Sequence, residues 1–231
     1  MPDYKSDLTV ATKQLYLAFM PYQSHTPAET WQTLSTYDAL IEKPLTELTV
    51  ADLTPLVCQL SKHDDKSAMV RRYLPRMMEL SIDQYHRWAM GLERVFQTFK
   101  IADWHLWSET EKDAVIAFFD ALWVYHLSDV MPVGTLSSAD TILESIGRVV
   151  PVDTYLHSWS QMNNKSATIH IASLIVYGKK HLEDVRRWLM QPRILNRIEA
   201  AFWDCQTDTH AAMFAKAAEY LRLEVIEPKT A

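Results

Sequence analysis

Glycine is nearly missing from this chain, with 4 residues among 231. An all-β domain built on tight turns and a glycine-rich phosphate-binding loop both need more. The shortage suits helices, where each glycine costs about 1 kcal/mol relative to alanine. Cysteine is scarcer still. Cys58 and Cys205 stand alone and far apart, with no CxxC pair and no disulfide framework. That usage fits a reducing compartment. No run of about 20 apolar residues is present to span a membrane. The opening stretch MPDYKSDLTV carries acids early and lacks the apolar centre of a signal peptide, so a cytoplasmic location is expected. Basic residues are in the minority too, with 23 Lys and Arg against 29 Asp and Glu and a net charge of −6. Phosphate neutralisation needs clustered cations, so no nucleic-acid partner is expected.

Several chemical signatures are also missing. The 9 histidines include no HExxH, and no Glu stands three residues before any of them. There is no GxSxG elbow. No catalytic residue, metal site or cofactor is therefore expected. Asp83 and His86 share a helical face, but two ligands do not make a site. Cys58, in LVCQL, reads as a small buried hydrophobe. Cys205, in FWDCQ, stands near a helix end with no neighbouring cation to activate it. The carboxylate pairs Asp64-Asp65 and Glu109/Glu111 fall in turns or first helical turns, where they complement the helix dipole.

What the chain does have is apolar spacing of three and four almost everywhere. Ile82, Tyr85, Ala89, Leu92, Phe96 and Phe99 form one stripe and predict a helix over 82–99, capped by Ser81 with Gln84. Thr26-Pro27-Ala28-Glu29, Thr49 with Asp52, and Ser108 with Glu111 mark further starts. Ser108 opens a helix over 109–130 striped by Val115, Phe118, Phe119, Leu122, Trp123 and His126. Other helices are expected over 6–19, 27–41, 50–61, 66–80, 138–150, 153–163, 165–177, 181–190, 192–204 and 209–223. The last carries Phe214, Ala217, Ala218 and Leu221 as its stripe. The fold class is all-α: a single domain, 1–231, of about a dozen short helices, with a minor seam near 132–138. HEAT-like helical pairs are the variant of this reading.

Two basic stretches need separate readings. In VRRYLPRMME, Val70, Tyr73, Leu74, Met77 and Met78 continue one apolar stripe across Pro75. That proline should kink or split the helix. Arg76 and Glu79 stand three apart and can pair, and the stems of Arg72 and Arg76 can cover core. Arg72, Pro75, Arg76 and Glu79 thus read as a structural joint. The stretch 179–197 holds Lys179, Lys180, Arg186, Arg187, Arg193 and Arg197 against Glu183 and Asp184. It is the candidate partner-binding region, although a solvated helix face is the simpler explanation. Trp104, Trp107, Trp123 and His105 concentrate aromatic area that should staple helices to the core.

KPLTELTVADL (43–53) followed by VRRYLPRMMEL (70–80) resembles a family of uncharacterised bacterial all-helical proteins with an LPR-x-x-EL core. Trp104, Trp107, Glu111 and Leu122-Trp123 extend the likeness, which covers roughly residues 40–125. Other members often carry a cysteine-rich stretch before the PL segment. Here 21–41 has no cysteine, so no metal role carries over. The resemblance implies an all-helical fold and a bacterial origin, and no activity.

Two functions are open at this stage, and the balance falls against an enzyme. The first is a protein-interaction protein, immunity- or antitoxin-like, that binds and neutralises a toxic effector, with Trp and Tyr as contact residues. The alternative is an enzyme or small-ligand-binding helical protein with an inter-helix site using His86, His126 or Cys205. A helical-repeat scaffold is a third.

Overall fold

The computed structural model of the chain describes residues 3–24, 31–32, 34–60, 66–83, 91–128, 138–178 and 183–226. Among them every regular element is helical and no strand is present, as the spacing predicts. They group into two compact units, Met1–Leu122 and Trp123–Ala231. Of the expected seam, residues 132–137 lie outside the described residues.

The first unit holds α1 (Tyr4–Ala18), α2 (Tyr37–Glu42), α3 (Val50–Gln59), α4 (Lys66–Asp83), α5 (Gly91–Ile101) and most of α6 (Glu109–Ser128). Helix α4 is its centre, with α1, α3 and α5 packed on it. The stripe read from the sequence explains why. Val70, Tyr73, Leu74, Met77 and Met78 are all buried. Their burial carries the helix straight through Pro75, which neither splits nor ends it. The expected helix over 82–99 is corrected. Ser81 does not cap a new helix but lies inside α4, its hydroxyl donating to the Met78 carbonyl at 2.6 Å. A serine can satisfy itself on the preceding turn in this way and so need not start a helix. Gln84 and the rest of 84–90 lie outside the described residues.

The predicted helix over 27–41 is also shorter than expected. Trp31 and Leu34 are buried. Yet Leu34 N–H donates to Trp31 and Tyr37 N–H to Leu34, both three-residue steps, before α2 begins at Tyr37. The run TLST in this segment is rich in hydroxyl and β-branched residues, which compete with helical hydrogen bonding. The Thr26 start lies outside the described residues.

The arginines of α4 fix its neighbours. Arg76 donates from Nε to the Leu48 carbonyl at 2.8 Å and from its fork to Glu79 at 2.6 Å. Glu79 also accepts the Tyr16 hydroxyl of α1 at 2.6 Å. Burial, then this hydrogen bond and the Glu79 charge, push the Tyr16 pKa up and keep it a donor. Arg72 donates to the Gln23 carbonyl at 2.7 Å. Arg71 lies between the rings of Tyr22 and Trp107, 5.2 and 5.3 Å from their centroids. Its Nε is 3.2 Å from Glu111, close enough for an ion pair yet not directed as a hydrogen bond. Glu111 is oriented by its other oxygen, which closes the Ser108 capping box.

The second unit holds the end of α6, then α7 (Ser138–Ile146), α8 (Asp153–Gln161), α9 (Lys165–Tyr177), α10 (Glu183–Leu189), α11 (Pro192–Trp203) and α12 (Asp208–Ile226). Helices α9, α11 and α12 pack together. Helix α9 is buried on most of its surface, Ala167, Ile169, Ile171, Ala172 and Leu174 included. Asn164 starts it by accepting from Ala167 N–H at 2.7 Å.

The Thr49–Asp52 box that opens α3 provides a pH test. Burial alone would raise the Asp52 pKa. The Thr49 N–H and hydroxyl, both at 2.8 Å, and the Lys43 ammonium at 3.0 Å outweigh it and hold the carboxyl below its usual value. A depressed folded pKa stabilises above the unfolded value, about 3.9, and the gain is lost as pH falls through the folded one. Asp52→Asn should therefore cost about 1–2 kcal/mol at pH 7. Melting curves of the two proteins should converge as pH falls through the lowered folded pKa of Asp52.

Candidate functional site

Helix α10 is short and is held mainly by α8. Trp188 stacks on Trp159 with centroids 4.9 Å apart and donates from its indole N–H to Ser160 at 2.8 Å. Trp159 in turn meets Trp123 edge to face at 5.1 Å and donates to the Ala167 carbonyl. This tryptophan stack pulls α10 toward α8. Helix α12 meanwhile packs on α9 and α11 through Met213, Phe214, Ala217 and Ala218. Between α9, α10 and α12 a cavity of about 390 Å³ remains.

Ile175 of α9, Leu189 and Met190 at the end of α10, and Leu221 of α12 line its apolar part, with Leu189 and Leu221 buried. Arg186, Tyr220 and Leu223 line it where they are exposed, so they stand at its opening to solvent. Among the described residues of the lining, Arg186 is the one charged side chain. The arrangement can take an apolar body inside and a polar group at the rim.

Another depression, of about 300 Å³, lies between α11 and α12, lined by Glu199, Phe202, Trp203, Ala215, Ala218 and Arg222. Arg222 pairs with Glu199 across it. Trp203 is 82% exposed, its ring edge to face with Phe202 at 5.0 Å.

The basic residues of 179–197 take different destinations. Lys179 and Lys180 lie outside the described residues. Arg187 is exposed, 3.5 Å from Asp184. Arg193 donates to the Gln191 side chain at 2.7 Å. Arg197 turns inward. It donates to the Thr168 hydroxyl at 2.9 Å and to the carbonyls of Trp159 and Met162 at the end of α8, and burial draws its pKa down. Arg186 lines the cavity between α9, α10 and α12.

The other candidates scatter. Cys58 is exposed rather than buried, a correction: α3 turns Leu53 and Leu56 to the core and position 58 away from it. Cys205 is half-buried, its thiol donating to the Thr207 carbonyl at 3.4 Å. His126 and His170 are buried with ring centroids 4.4 Å apart. His86 lies outside the described residues. Among the described residues no three His, Cys, Asp or Glu converge as metal ligands, and no helix is long and apolar enough to cross a membrane.

Neither family models, nor curated proteins, nor solved structures contain a match to this chain.

The sequence reading missed Ile175, Met190, Tyr220 and Leu223. A signal was available: Tyr220 and Leu223 flank the α12 stripe and give that helix more apolar surface than one buried face uses. Arg197 carries a prediction of its own. Arg197→Ala removes the donor to the Met162 carbonyl and one of the two donors to the Trp159 carbonyl, and should lower stability by about 2–3 kcal/mol. Arg197→Lys, lacking the fork, should recover less than half of that loss in chemical denaturation.

Proposed function

We propose that this chain is a binding protein whose second unit holds a small ligand in the cavity between α9, α10 and α12. The observation that carries the reading is the cavity itself, walled by apolar side chains from three helices. Its volume, about 390 Å³, lies in the lower part of the range for ligand pockets, about 300–1,000 Å³. This is the inter-helix alternative of the sequence reading, moved from His86, His126 and Cys205 to Arg186 and Tyr220. Decan-1-ol, a neutral amphiphile, should raise the melting temperature saturably, at one molecule per chain. Met190→Trp, which fills the cavity from a half-buried position, should abolish that shift. An unsaturable or absent response in the unmodified protein defeats the reading.

A protein-interaction role, immunity- or antitoxin-like with a toxic effector as partner, is the second reading, and Trp203 favours it. An exposed tryptophan lining a depression is the residue type that dominates interfaces. The acidic chain would attract a basic partner by electrostatic steering. The product of the adjacent gene, purified with this chain, is the partner to try. Trp203→Ala should then weaken the complex at least about tenfold. Unchanged affinity removes Trp203 from the interface.

A further inference from the structure

We propose that the face formed by α11 and α12 is a self-association surface. Its partner is a second copy of this chain, related by a two-fold axis, with Trp203 of each copy seated in the depression of the other. This rests on the reading of Trp203 as an interface residue and names the partner.

The patch carries a knob and a hole side by side. Trp203, the last residue of α11, is 82% exposed. Phe202 meets its ring edge to face at 5.0 Å, which meets part of the ordering cost of an interface side chain before any contact forms. An indole left in water this far forgoes apolar burial that a partner supplies. Beside it lies the depression of about 300 Å³. An apolar cavity of about 150 Å³ takes a benzene ring, so this one has room for an indole. On the α12 side Ala215 and Ala218 each bring a single methyl group to the lining and leave that room open.

The charges of the patch are also of both kinds. Glu199 of α11 and Arg222 of α12 line the same depression and pair with each other. Their side chains are 34% and 59% exposed. Such a surface pair contributes little by itself, so each member can turn to a second copy at small cost. In a two-fold contact, residue i of one copy meets residue j of the other and j meets i. A surface suits that arrangement when it holds both halves of every pairing. This one holds an indole and a depression, and a carboxylate and a guanidinium.

Other partners fit the patch less well. With one charge of each sign it presents no uniform field to a strongly basic or acidic protein. A nucleic acid needs clustered cations, and among the described residues Arg222 is the one cation of this lining.

The test is sedimentation equilibrium of the full chain from about 1 to 500 μM in 0.15 M salt, where a Debye length of about 8 Å screens the repulsion between two net charges of −6. A reversible dimer is expected, with Kd on the order of 10–100 μM for one modest patch. Trp203→Ala should weaken it at least about tenfold. Glu199→Lys makes the patch cationic and Arg222→Glu makes it anionic, so each variant alone should dimerise at least about fivefold more weakly. Mixed in equal amounts, the two should associate with each other at least as tightly as the unmodified chain does with itself. All three side chains reach the surface, so the variants keep the fold. If the chain is monomeric at every concentration while the adjacent gene product binds through Trp203, self-association is wrong and the interface reading survives. If it is monomeric and that product does not bind there, both fail. A dimer undiminished by Trp203→Ala forms on another face and overturns the proposal. A dimer lost in Trp203→Ala but not recovered by mixing the two charge variants overturns the two-fold arrangement.

Discussion

Helix ends leave carbonyl groups without partners, and this chain closes them with long side chains from distant helices. Glycine usually does that work locally, through a left-handed residue after the last turn. With four glycines available the chain has little of that option. Instead Tyr73 donates to the Leu40 carbonyl, and Arg76 to that of Leu48. Ser67 and Trp107 both donate to Ala102 just past α5, and Arg197 reaches Trp159 and Met162 at the end of α8. Where a left-handed residue is needed after α5, Asp103 takes it at φ 51°. These helix stops therefore depend on contacts from outside the helix. Short helices of this kind are marginal alone, so secondary and tertiary structure form together.

The same device explains the arginines. A guanidinium placed at a helix end satisfies carbonyls, pairs with a carboxylate and covers apolar surface with its stem. Arg72, Arg76 and Arg197 each reach a carbonyl, and Arg76 also pairs with Glu79, while Arg71 lies between two rings beside Glu111. Arg186 lines the cavity between α9, α10 and α12.

The sequence made the helices legible wherever spacing and caps agreed. The Thr49–Asp52 and Ser108–Glu111 boxes are both formed. It misled where one local rule met a stronger packing demand. Pro75 lies inside a continuous helix because the residues on either side of it are buried. Ser81 resembles a cap and is an interior residue. Cys58 sits in an apolar run yet faces outward, since a short helix has one core face and the run is longer than that face. The cavity was not legible. Its lining comes from three separate helices, a convergence that no periodicity encodes.

The outward turn of position 58 has a practical consequence. The chain contains two thiols, Cys58 in the first unit and Cys205 in the second, and both reach the surface at least in part. Each unit thus comes with its own natural attachment point for a fluorescent label. A donor and an acceptor dye placed on them would report the distance between the two units in solution, and its change when a ligand is added, without altering a single residue.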